Sequence, residues 1–536
     1  MSDGGETRLT GTVASPGLAR GVLFPLRESR PVYHSRGPEA DRAALAAAIE
    51  QAAAALTELM SATESDEAAG MLAFQVAMLE DEVLTGPAYA AIEGGQPADR
   101  AWADAFEDLI EDFAGSDDPA FAARSADLVD LRDRVLDALC GRGGGLERVP
   151  ERAILVADDL TPSRFLEVDW NRAAGIALAS GSRASHVAIL ARGRGVPMLV
   201  GLGGGAVAAP EGASAWLDAE GGLLVVNPTP ATEARYAARD EARAASRLVV
   251  ERFRVRPART ASGAPVTVYV NLDDPDRFPD LDPAWCDGVG LARSEFLFER
   301  PDGRLPDEDQ QYEAYARLVR WAQGRPVTIR TLDAGGDKPI PGLTGEHERN
   351  PFLGLRGLRL SLARPEVFAV QVRALLRTAA LGEVKVMLPM VTTPAEVERA
   401  RAIFAEELAA LERAGTRAAM PALGMMVEVP AAAIAVDRFD VDFYSIGTND
   451  LIQYVCAAGR DNDAVAALYD PTHPAVLHCL RLVAAHGAAT GREVSLCGDM
   501  ASDPAHVATL LDCGITALSV TPAAIGAVKQ AVAAVG

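Results

Sequence analysis

Residues 260–536 alternate short apolar runs with amphipathic helical patterns, and this alternation restricts the fold more than any other feature of the sequence. Short apolar runs of this kind are typical of buried strands, and their alternation with helices predicts a parallel sheet. Eight strand–helix units in succession predict a closed (β/α)8 barrel. The eight predicted strands are 266–272, 288–295, 327–333, 384–391, 423–429, 442–448, 494–499 and 518–522.

Charged and polar residues occupy the C-terminal ends of these strands, where barrels of this kind carry their active sites. The arginine fork suits carboxylate or phosphate oxygens, and carboxylates from neighbouring strands suit Mg²⁺. The ends therefore predict a site for a small molecule bearing phosphate and carboxylate. For a single acid, an internal salt bridge remains an equal alternative. The residues at the ends are Arg293, Glu295, Arg330, Asp333, Glu428, Asn449, Asp450 and Cys497.

Cys497 is the one cysteine that falls at a strand end. A lone cysteine in such a place is often a small buried hydrophobe. A thiol has a reference pKa of about 8.5, so it is also a workable proton donor beside a carbanion. Both interpretations stay open on these grounds. The other five cysteines lie in helical or loop patterns and are expected to serve packing.

The N-terminal half predicts a small α/β domain interrupted by helices. Residues 1 to about 25 are typical of a strand and turn, 38–144 are Ala-rich and helical, and 150–226 return to short strands and helices. A charged helix at about 230–254 leads to the barrel. The predicted organisation is an α/β multidomain chain: an α/β domain (1–28 and 146–228), an inserted helical bundle (29–145), a linker helix (229–259) and a (β/α)8 barrel (260–536).

Composition narrows the class of protein. The formal net charge of −24 argues against nucleic-acid binding. No signal peptide and no uninterrupted apolar run of about 20 residues is present, so membrane insertion is not expected. The six cysteines form no CxxC pair, which argues against a disulfide framework or zinc site. A cytoplasmic location is expected. Only three of the 51 basic residues are lysine, which draws attention to Lys338.

His186 follows a turn of small and polar residues, GSRAS, and precedes an apolar run. A histidine in such a place is commonly a surface or structural residue. Free imidazole has a reference pKa of about 6.5, so its neutral form carries a lone pair that attacks phosphorus near pH 7.

The segment around His186 and six barrel segments together resemble the phosphoenolpyruvate-utilising enzymes. GSRASHVAILAR resembles the family's phosphohistidine segment, and the barrel segments occur in the family's order over nearly the whole chain. The branch to which the chain is most similar is enzyme I of the sugar phosphotransferase system. The barrel segments are LARSEFLF, RTLDAGGDK, NPFLGLRG, MVEVPAAA, DFYSIGTNDLIQY and CGDMA.

The resemblance implies a reaction and its residues. Phosphoenolpyruvate is expected to phosphorylate His186, which then passes the phosphoryl group to the carrier protein HPr, with release of pyruvate. Cys497 is implied as the proton donor to pyruvate, and Thr161 as a hydrogen-bond partner of the histidine. Glu428 and Asp450 are implied as Mg²⁺ ligands. The implied phosphoenolpyruvate-binding residues are Arg293, Arg330, Lys338, Asn449, Asp450 and Arg460.

The resemblance also implies how the parts work together. The helical bundle is expected to bind the carrier, and the acidic segment LEDE (79–82) is either part of that surface or a solvated helix face. Because one histidine serves both the barrel and the carrier, the histidine domain is expected to swing. The candidate hinges are 26–38, 142–150 and 227–260. A homodimer is expected.

Several positions depart from the family pattern. Ala184 stands where threonine is common, and Val429 replaces a threonine. The run around Arg460 reads Gly459, Arg460, Asp461, Asn462, and Asp499 replaces a glutamate. We expect these changes to modulate activity without abolishing it.

Three alternatives remain on the sequence alone. An ATP-linked dikinase or synthase would need an ATP-binding domain, for which the chain has neither a Gly-rich nucleotide loop nor space. GLGGG (201–205) is interpreted as a turn, because no P-loop lysine follows it. A docking protein with a decayed barrel would not keep this set of charged residues. A carbon–carbon lyase barrel would leave the histidine domain unexplained.

Overall fold

The chain forms two units, residues 1–243 and 244–536. The structure is a computed structural model. It describes residues 5–26, 33–63, 66–114, 119–141, 149–183, 185–298, 304–336, 340, 342–344, 348, 350–460 and 462–536.

The first unit is built on an eight-stranded mixed sheet with the order β1-β8-β7-β3-β4-β5-β6-β2. Most positions of its central strands are buried, which explains their continuous apolar runs. Apolar clusters lie on both sides of the sheet. The strands are β1 Thr7–Thr10, β2 Thr12–Ser15, β3 Leu18–Pro25, β4 Ala153–Ala157, β5 Ala173–Leu178, β6 Met198–Val200, β7 Ser214–Asp218 and β8 Leu223–Val226.

A helical bundle is inserted between β3 and β4, two strands that pair in parallel from Val22↔Ala153 onward. Its core contains Leu45, Leu56, Trp102 and Phe106, all fully buried. Among the described residues, α1 alone has the length and composition of a membrane span. Its leucines pack into the bundle core instead. The helices are α1 Pro38–Ala62, α2 Asp66–Glu80, α3 Glu82–Glu93, α4 Ala98–Ala114 and α5 Pro119–Leu139.

Four further helices follow the bundle. They are α6 Pro162–Glu167, α7 His186–Arg194, α8 Gly204–Val207 and α9 Pro230–Arg254. The long helix α9 begins in the first unit and ends in the second.

The second unit is a closed barrel of eight parallel strands, which confirms the predicted fold. Its strand order is β10-β11-β12-β13-β14-β15-β16-β9, so the first and last strands pair and close the ring. The strands are β9 Thr267–Asn271, β10 Val289–Ala292, β11 Val327–Arg330, β12 Val384–Leu388, β13 Ala422–Val427, β14 Phe443–Gly447, β15 Glu493–Cys497 and β16 Ala517–Val520.

Helices surround the barrel and bury their apolar faces against it. Local signals fix several of their starts: Asp307 and Gln310 form a reciprocal capping box at α10, as do Thr393 and Glu396 at α13. The helices are α10 Glu308–Ala322, α11 Leu358–Ala363, α12 Pro365–Ala379, α13 Pro394–Arg413, α14 Pro430–Ile434, α15 Thr448–Cys456, α16 Pro474–Thr490, α17 Asp499–Ser502, α18 Val507–Asp512 and α19 Ile525–Ala534.

All eight barrel strands end before their predicted last residues, three of them by three residues. We expected 288–295, 327–333 and 384–391, whereas β10, β11 and β12 end at 292, 330 and 388. Beyond these points, side chains replace neighbouring strands as partners of several backbone amides. The amide of Asp333 donates to Glu295 at 2.8 Å, and that of Met390 donates to Glu428 at 2.6 Å. The loops at this end of the barrel are thereby tied to charged side chains.

Two of the three lysines have structural roles. Lys385, near the start of β12, donates from Nζ to Glu493 Oε2 at 2.8 Å. Lys529 is buried and donates to the carbonyl oxygens of Arg254, Arg256 and Trp285 at 2.8–3.0 Å. Its three donors are satisfied, and it holds the end of α9 to the last barrel helix.

Candidate active site

The C-terminal ends of the barrel strands surround an open cavity of about 480 Å³. Loops after seven of the eight strands contribute to its wall. The structure brings together there seven of the predicted site residues: Arg293, Arg330, Glu428, Asn449, Asp450, Arg460 and Cys497.

Arg330, the last residue of β11, is buried between two acids. Its Nη2 lies 3.1 Å from Glu295 Oε1, and its Nη1 lies 3.1 Å from Asp333 Oδ2. Burial disfavours the charged guanidinium, but the two carboxylates more than offset it and raise the pKa of Arg330 above its usual value. Glu295 and Asp333, left open above as ligands or ion-pair partners, are therefore both ion-pair partners in this structure.

Arg356 is a central residue of the cavity that the sequence analysis did not single out. It is 1% exposed. Four hydrogen bonds of 3.0 Å join its guanidinium to both oxygens of Asp333 and both oxygens of Asp450. Burial opposes its charge, but the two carboxylates outweigh that effect and raise its pKa. The signal was present in the segment NPFLGLRG, whose single arginine is Arg356, but this arginine lies in a loop far along the sequence from the end of β11.

Glu428 is buried beside the same group of charges. Burial, followed by the nearby charges of Asp333 and Asp450, raises the pKa of Glu428 to about 8. Its Oε1 accepts the amide of Met390 at 2.6 Å. Four buried carboxylates (Glu295, Asp333, Glu428 and Asp450) thus face two buried guanidinium groups (Arg330 and Arg356). The formal charges of the six groups sum to −2 when all are ionised. The raised pKa leaves the Glu428 carboxyl largely protonated near pH 7, and a cation bound beside it would favour the ionised form.

This excess fits a divalent cation. Glu428 and Asp450 both line the cavity and offer the oxygen donors that Mg²⁺ prefers. Within the described residues, no group of three or more His, Cys, Asp or Glu side chains is arranged as a metal site. A cation held by these two carboxylates would therefore complete its coordination with water and ligand oxygens, as Mg²⁺ commonly does.

Cys497, at the end of β15, is 2% exposed and lines the cavity. Its Sγ lies 3.7 Å from Ser445 Oγ and 3.6 Å from the carbonyl oxygen of Ile446. Burial raises the pKa of the Cys497 thiol to about 11. The group therefore carries its proton at neutral pH, in the form that a proton donor requires.

Asn449 and Asp499 form a reciprocal pair on the cavity wall. Asn449 Nδ2 lies 3.3 Å from Asp499 Oδ2, and the amide of Asp499 donates to Asn449 Oδ1 at 3.0 Å. Gly498, directly before Asp499, has φ of 106°, and a Cβ there would lie 2.4 Å from Thr448 Oγ1. Only glycine fits this position. The pair fixes the orientation of the Asn449 amide.

Arg293 and Arg460 also line the cavity. Arg293 binds Asp273 through its backbone amide, Nε and Nη2 at 2.6–2.9 Å, and its side chain is 55% exposed. The amide of Arg460 donates to Gln453 Oε1 at 3.2 Å. Asp273 thus holds both the backbone and one edge of the guanidinium of Arg293, while much of the side chain remains accessible.

His186 begins α7 and is exposed. Ser185 caps this helix by accepting the amide of Ala188, and Gly195 ends it with φ of 66°. Thr161, implied above as a partner of the histidine, instead donates to Asp130 at 2.6 Å. The part of the chain that the structure describes contains no hydrogen bond to the His186 ring.

Comparison with known proteins identifies the family. Residues 248–536 match the PEP-binding domain of the PEP-utilising enzymes, 10–124 match the N-terminal domain and 149–222 match the mobile domain. The chain belongs to the PEP-utilising enzymes.

Relatives of this PEP-utilising enzyme share most of its length. The phosphoenolpyruvate-protein phosphotransferase of Haloferax volcanii is 41% identical over 87% of this chain and 82% of its own. That of Geobacillus stearothermophilus is 36% identical over 97% and 92%. The multiphosphoryl transfer protein of Xanthomonas campestris pv. campestris is 37% identical over 98% of this chain, which spans only 63% of that longer protein.

The remaining sequence predictions fall in different places in this PEP-utilising enzyme. Val429 packs against the barrel core at the start of α14. In LEDE, Asp81 caps α3, and Glu80 and Glu82 are also exposed. In GLGGG, Gly201 and Gly203 have the positive φ values of a turn, whereas Gly204 and Gly205 begin the short helix α8. Lys338, Ala184 and Asp461 lie outside the described residues.

Proposed function

We propose that this chain transfers the phosphoryl group of phosphoenolpyruvate to His186 and then to an HPr-like phosphocarrier protein, releasing pyruvate. The observation that carries the proposal is one cavity lined by Arg293, Arg330, Arg356, Glu428, Asp450 and Cys497 in a chain of this family. Phosphoenolpyruvate carries a phosphate and a carboxylate, and guanidinium groups bind the oxygens of both.

The cavity suits phosphoryl transfer because its charges are held in place before substrate arrives. Transfer of a phosphoryl group depends mainly on positioning and on stabilisation of charge in the transition state. The buried pairs of Arg330 and Arg356 fix both guanidinium groups without solvent reorganisation. We assign Arg293 and Arg460 to bind the substrate from the open side of the cavity, and Asn449 and Asp450 to bind it from the cavity wall. Lys338 stays a prediction.

PEP-utilising enzymes need a divalent metal ion, and we assign it here as Mg²⁺. Glu428 and Asp450 would hold it. When bound, the cation neutralises phosphate charge and helps to orient the phosphoryl group.

The chemical step needs a nucleophile and an acid. A neutral imidazole of His186 attacks phosphorus, and the bond from phosphorus to the enol oxygen breaks. The enolpyruvate that leaves takes a proton at its methylene carbon from the Cys497 thiol, which gives pyruvate. The thiolate then regains a proton from solvent. Burial of the thiol keeps it protonated until that moment.

Transfer to the carrier is assigned to the first unit. The inserted bundle (29–145), with its acidic segment LEDE (79–82), would face a basic carrier surface. The domain of 1–28 and 146–228 would present His186, joined by the linker helix (229–259) to the barrel (260–536). We expect a cytoplasmic homodimer.

The test is to incubate the purified chain with ³²P-labelled phosphoenolpyruvate and Mg²⁺, with and without HPr. Acid-labile label on His186, pyruvate release and passage of label to HPr are expected. Addition of ATP should change none of these, whereas a dikinase or synthase would depend on it. No label in the presence of Mg²⁺ would refute the proposal, and label that never reaches HPr would refute the carrier assignment.

A further inference from the structure

Gln371 forms a buried bridge behind the wall of the cavity. It lies on α12, is 1% exposed and is absent from the cavity lining. Its Oε1 accepts the amide of Leu332 at 3.0 Å, and its Nε2 donates to Ser294 Oγ at 3.1 Å and Tyr315 Oη at 3.0 Å. One side-chain amide therefore connects α12, α10 and two loops at the barrel ends.

The two loops carry the charged residues of the cavity. Ser294 stands between Arg293 and Glu295 in the loop after β10, and Leu332 precedes Asp333 in the loop after β11. Glu295 and Asp333 in turn hold Arg330 and Arg356. Gln371 therefore hydrogen-bonds to the sequence neighbours of Glu295 and Asp333, the two carboxylates that fix both buried arginines.

The chemistry of Gln371 distinguishes it from a residue that only fills space. Its carbonyl and both N–H groups are directed to different partners, and Ser294 and Tyr315 are themselves buried. The amide of Leu332 has left the strand ladder and takes Gln371 as its acceptor. An apolar side chain of the same length would fill the volume but leave that buried amide without this partner.

We propose that Gln371 is a positioning residue that holds the loops after β10 and β11 in the arrangement which binds phosphoenolpyruvate. This rests on the proposed function for the identity of the substrate. It assigns to Gln371 no contact with substrate. Its effect runs through Ser294 and Leu332 to the guanidinium groups.

The kinetic test is Gln371→Met, which keeps length and removes the three hydrogen bonds. Thr378→Val is the matched control, because Thr378 is also buried on α12 and its hydroxyl donates within that helix, to the carbonyl oxygen of Ala374 at 2.8 Å. We expect kcat/KM for phosphoenolpyruvate to fall about ten- to hundredfold in Gln371→Met, mainly through KM. Thr378→Val should keep wild-type constants even if its melting temperature falls as far. Equal constants in the two variants would overturn the proposal.

Hydrogen–deuterium exchange separates this proposal from the proposed function. In Gln371→Met, exchange should rise at the amides of both loops, 293–296 and 331–334, while Thr378→Val leaves both unchanged. A rise confined to α12, or in only one loop, would contradict the bridge. If the wild-type chain fails to use phosphoenolpyruvate, the proposed function fails, and the exchange measurement still decides whether Gln371 holds the loops.

Discussion

His186 and the barrel cavity differ in how their functional groups are held. His186 is exposed at the start of a nine-residue helix, and no hydrogen bond holds its ring among the described residues. In the cavity, Arg330 and Arg356 are buried and bonded to carboxylates on two sides. One region offers an accessible imidazole, whereas the other fixes charge in advance.

The difference follows from what each region has to do under the proposed mechanism. A phosphoryl acceptor that serves two partners has to remain accessible to both. A site that stabilises developing charge gains most when its dipoles and charges need no rearrangement during the reaction. Substitution at His186 should therefore remove chemistry without changing stability, whereas substitution at Arg356 should change both.

The largest effect is expected for His186→Ala. Without the imidazole no phosphohistidine forms, so acid-labile label from phosphoenolpyruvate should be absent. The melting temperature should match that of the wild type, because the side chain is exposed. His34→Ala, which removes another exposed histidine, is the control and should label normally. Label that persists in His186→Ala would place the acceptor elsewhere.

The next largest effect is expected for Arg356→Met. The change removes a charge from the transition state and leaves Asp333 and Asp450 without their shared partner. We expect kcat/KM for phosphoenolpyruvate to fall by about 10³ to 10⁵ and the free energy of unfolding to fall by about 3–5 kcal/mol. Arg364→Met removes a surface pair with Glu366 and should change neither quantity appreciably. A stable Arg356→Met enzyme with normal kinetics would remove this residue from the site.

Arg356 also shows where sequence reasoning reached its limit. The eight strands were predictable, because each is a short apolar run between helices and the barrel buries all of them. The charged residues at their ends were predictable for the same reason, since the strand order brings those ends together. Arg356 stands in a loop with no periodic pattern, so its position depends on contacts that only the folded chain provides.

Gln371 and the early strand ends have the same explanation. A glutamine on an amphipathic helix is indistinguishable in sequence from a surface residue, and its burial depends on which loops fold over it. β10 and β11 end early because the amides of Arg293, Leu332 and Asp333 take side-chain acceptors rather than a neighbouring strand. The burial of Gln371 and the early ends of β10 and β11 both depend on hydrogen bonds between residues that are distant in sequence.

A smaller effect is expected for Cys497→Ala, which tests whether the barrel cavity also supplies the proton that enolpyruvate takes up. His186 should still be phosphorylated, but pyruvate formation should slow about a hundredfold, because the enolpyruvate then takes its proton from water. Rapid-quench measurement of label and pyruvate in the same sample distinguishes the two steps. Cys513→Ala removes another buried thiol, one outside the cavity lining, and should leave both rates unchanged. Equal slowing of label and pyruvate would instead assign Cys497 to the transfer step.

The smallest effect is expected for Asp41→Asn. Asp41 is a buried and fixed charge of the first unit, so the contrast with the barrel cavity applies to His186 and not to that whole unit. Asp41 is 1% exposed and accepts the amide of Arg36 at 2.9 Å, the hydroxyl of Tyr33 at 3.1 Å and the amide of Ala98 at 3.3 Å. Burial acts to raise its pKa, but these hydrogen bonds outweigh burial and lower it. Asp41 therefore stabilises the bundle at pH values above the unfolded pKa of about 3.9, and this contribution is lost as pH falls through the lower folded pKa.

Urea unfolding at pH 7 should show Asp41→Asn less stable than wild type by about 2 kcal/mol, with the difference shrinking below pH 4. Asp108→Asn, at an exposed carboxylate, should show no difference at either pH. A difference for Asp41→Asn that is the same at pH 7 and pH 3 would mean that shape rather than charge holds this end of the bundle.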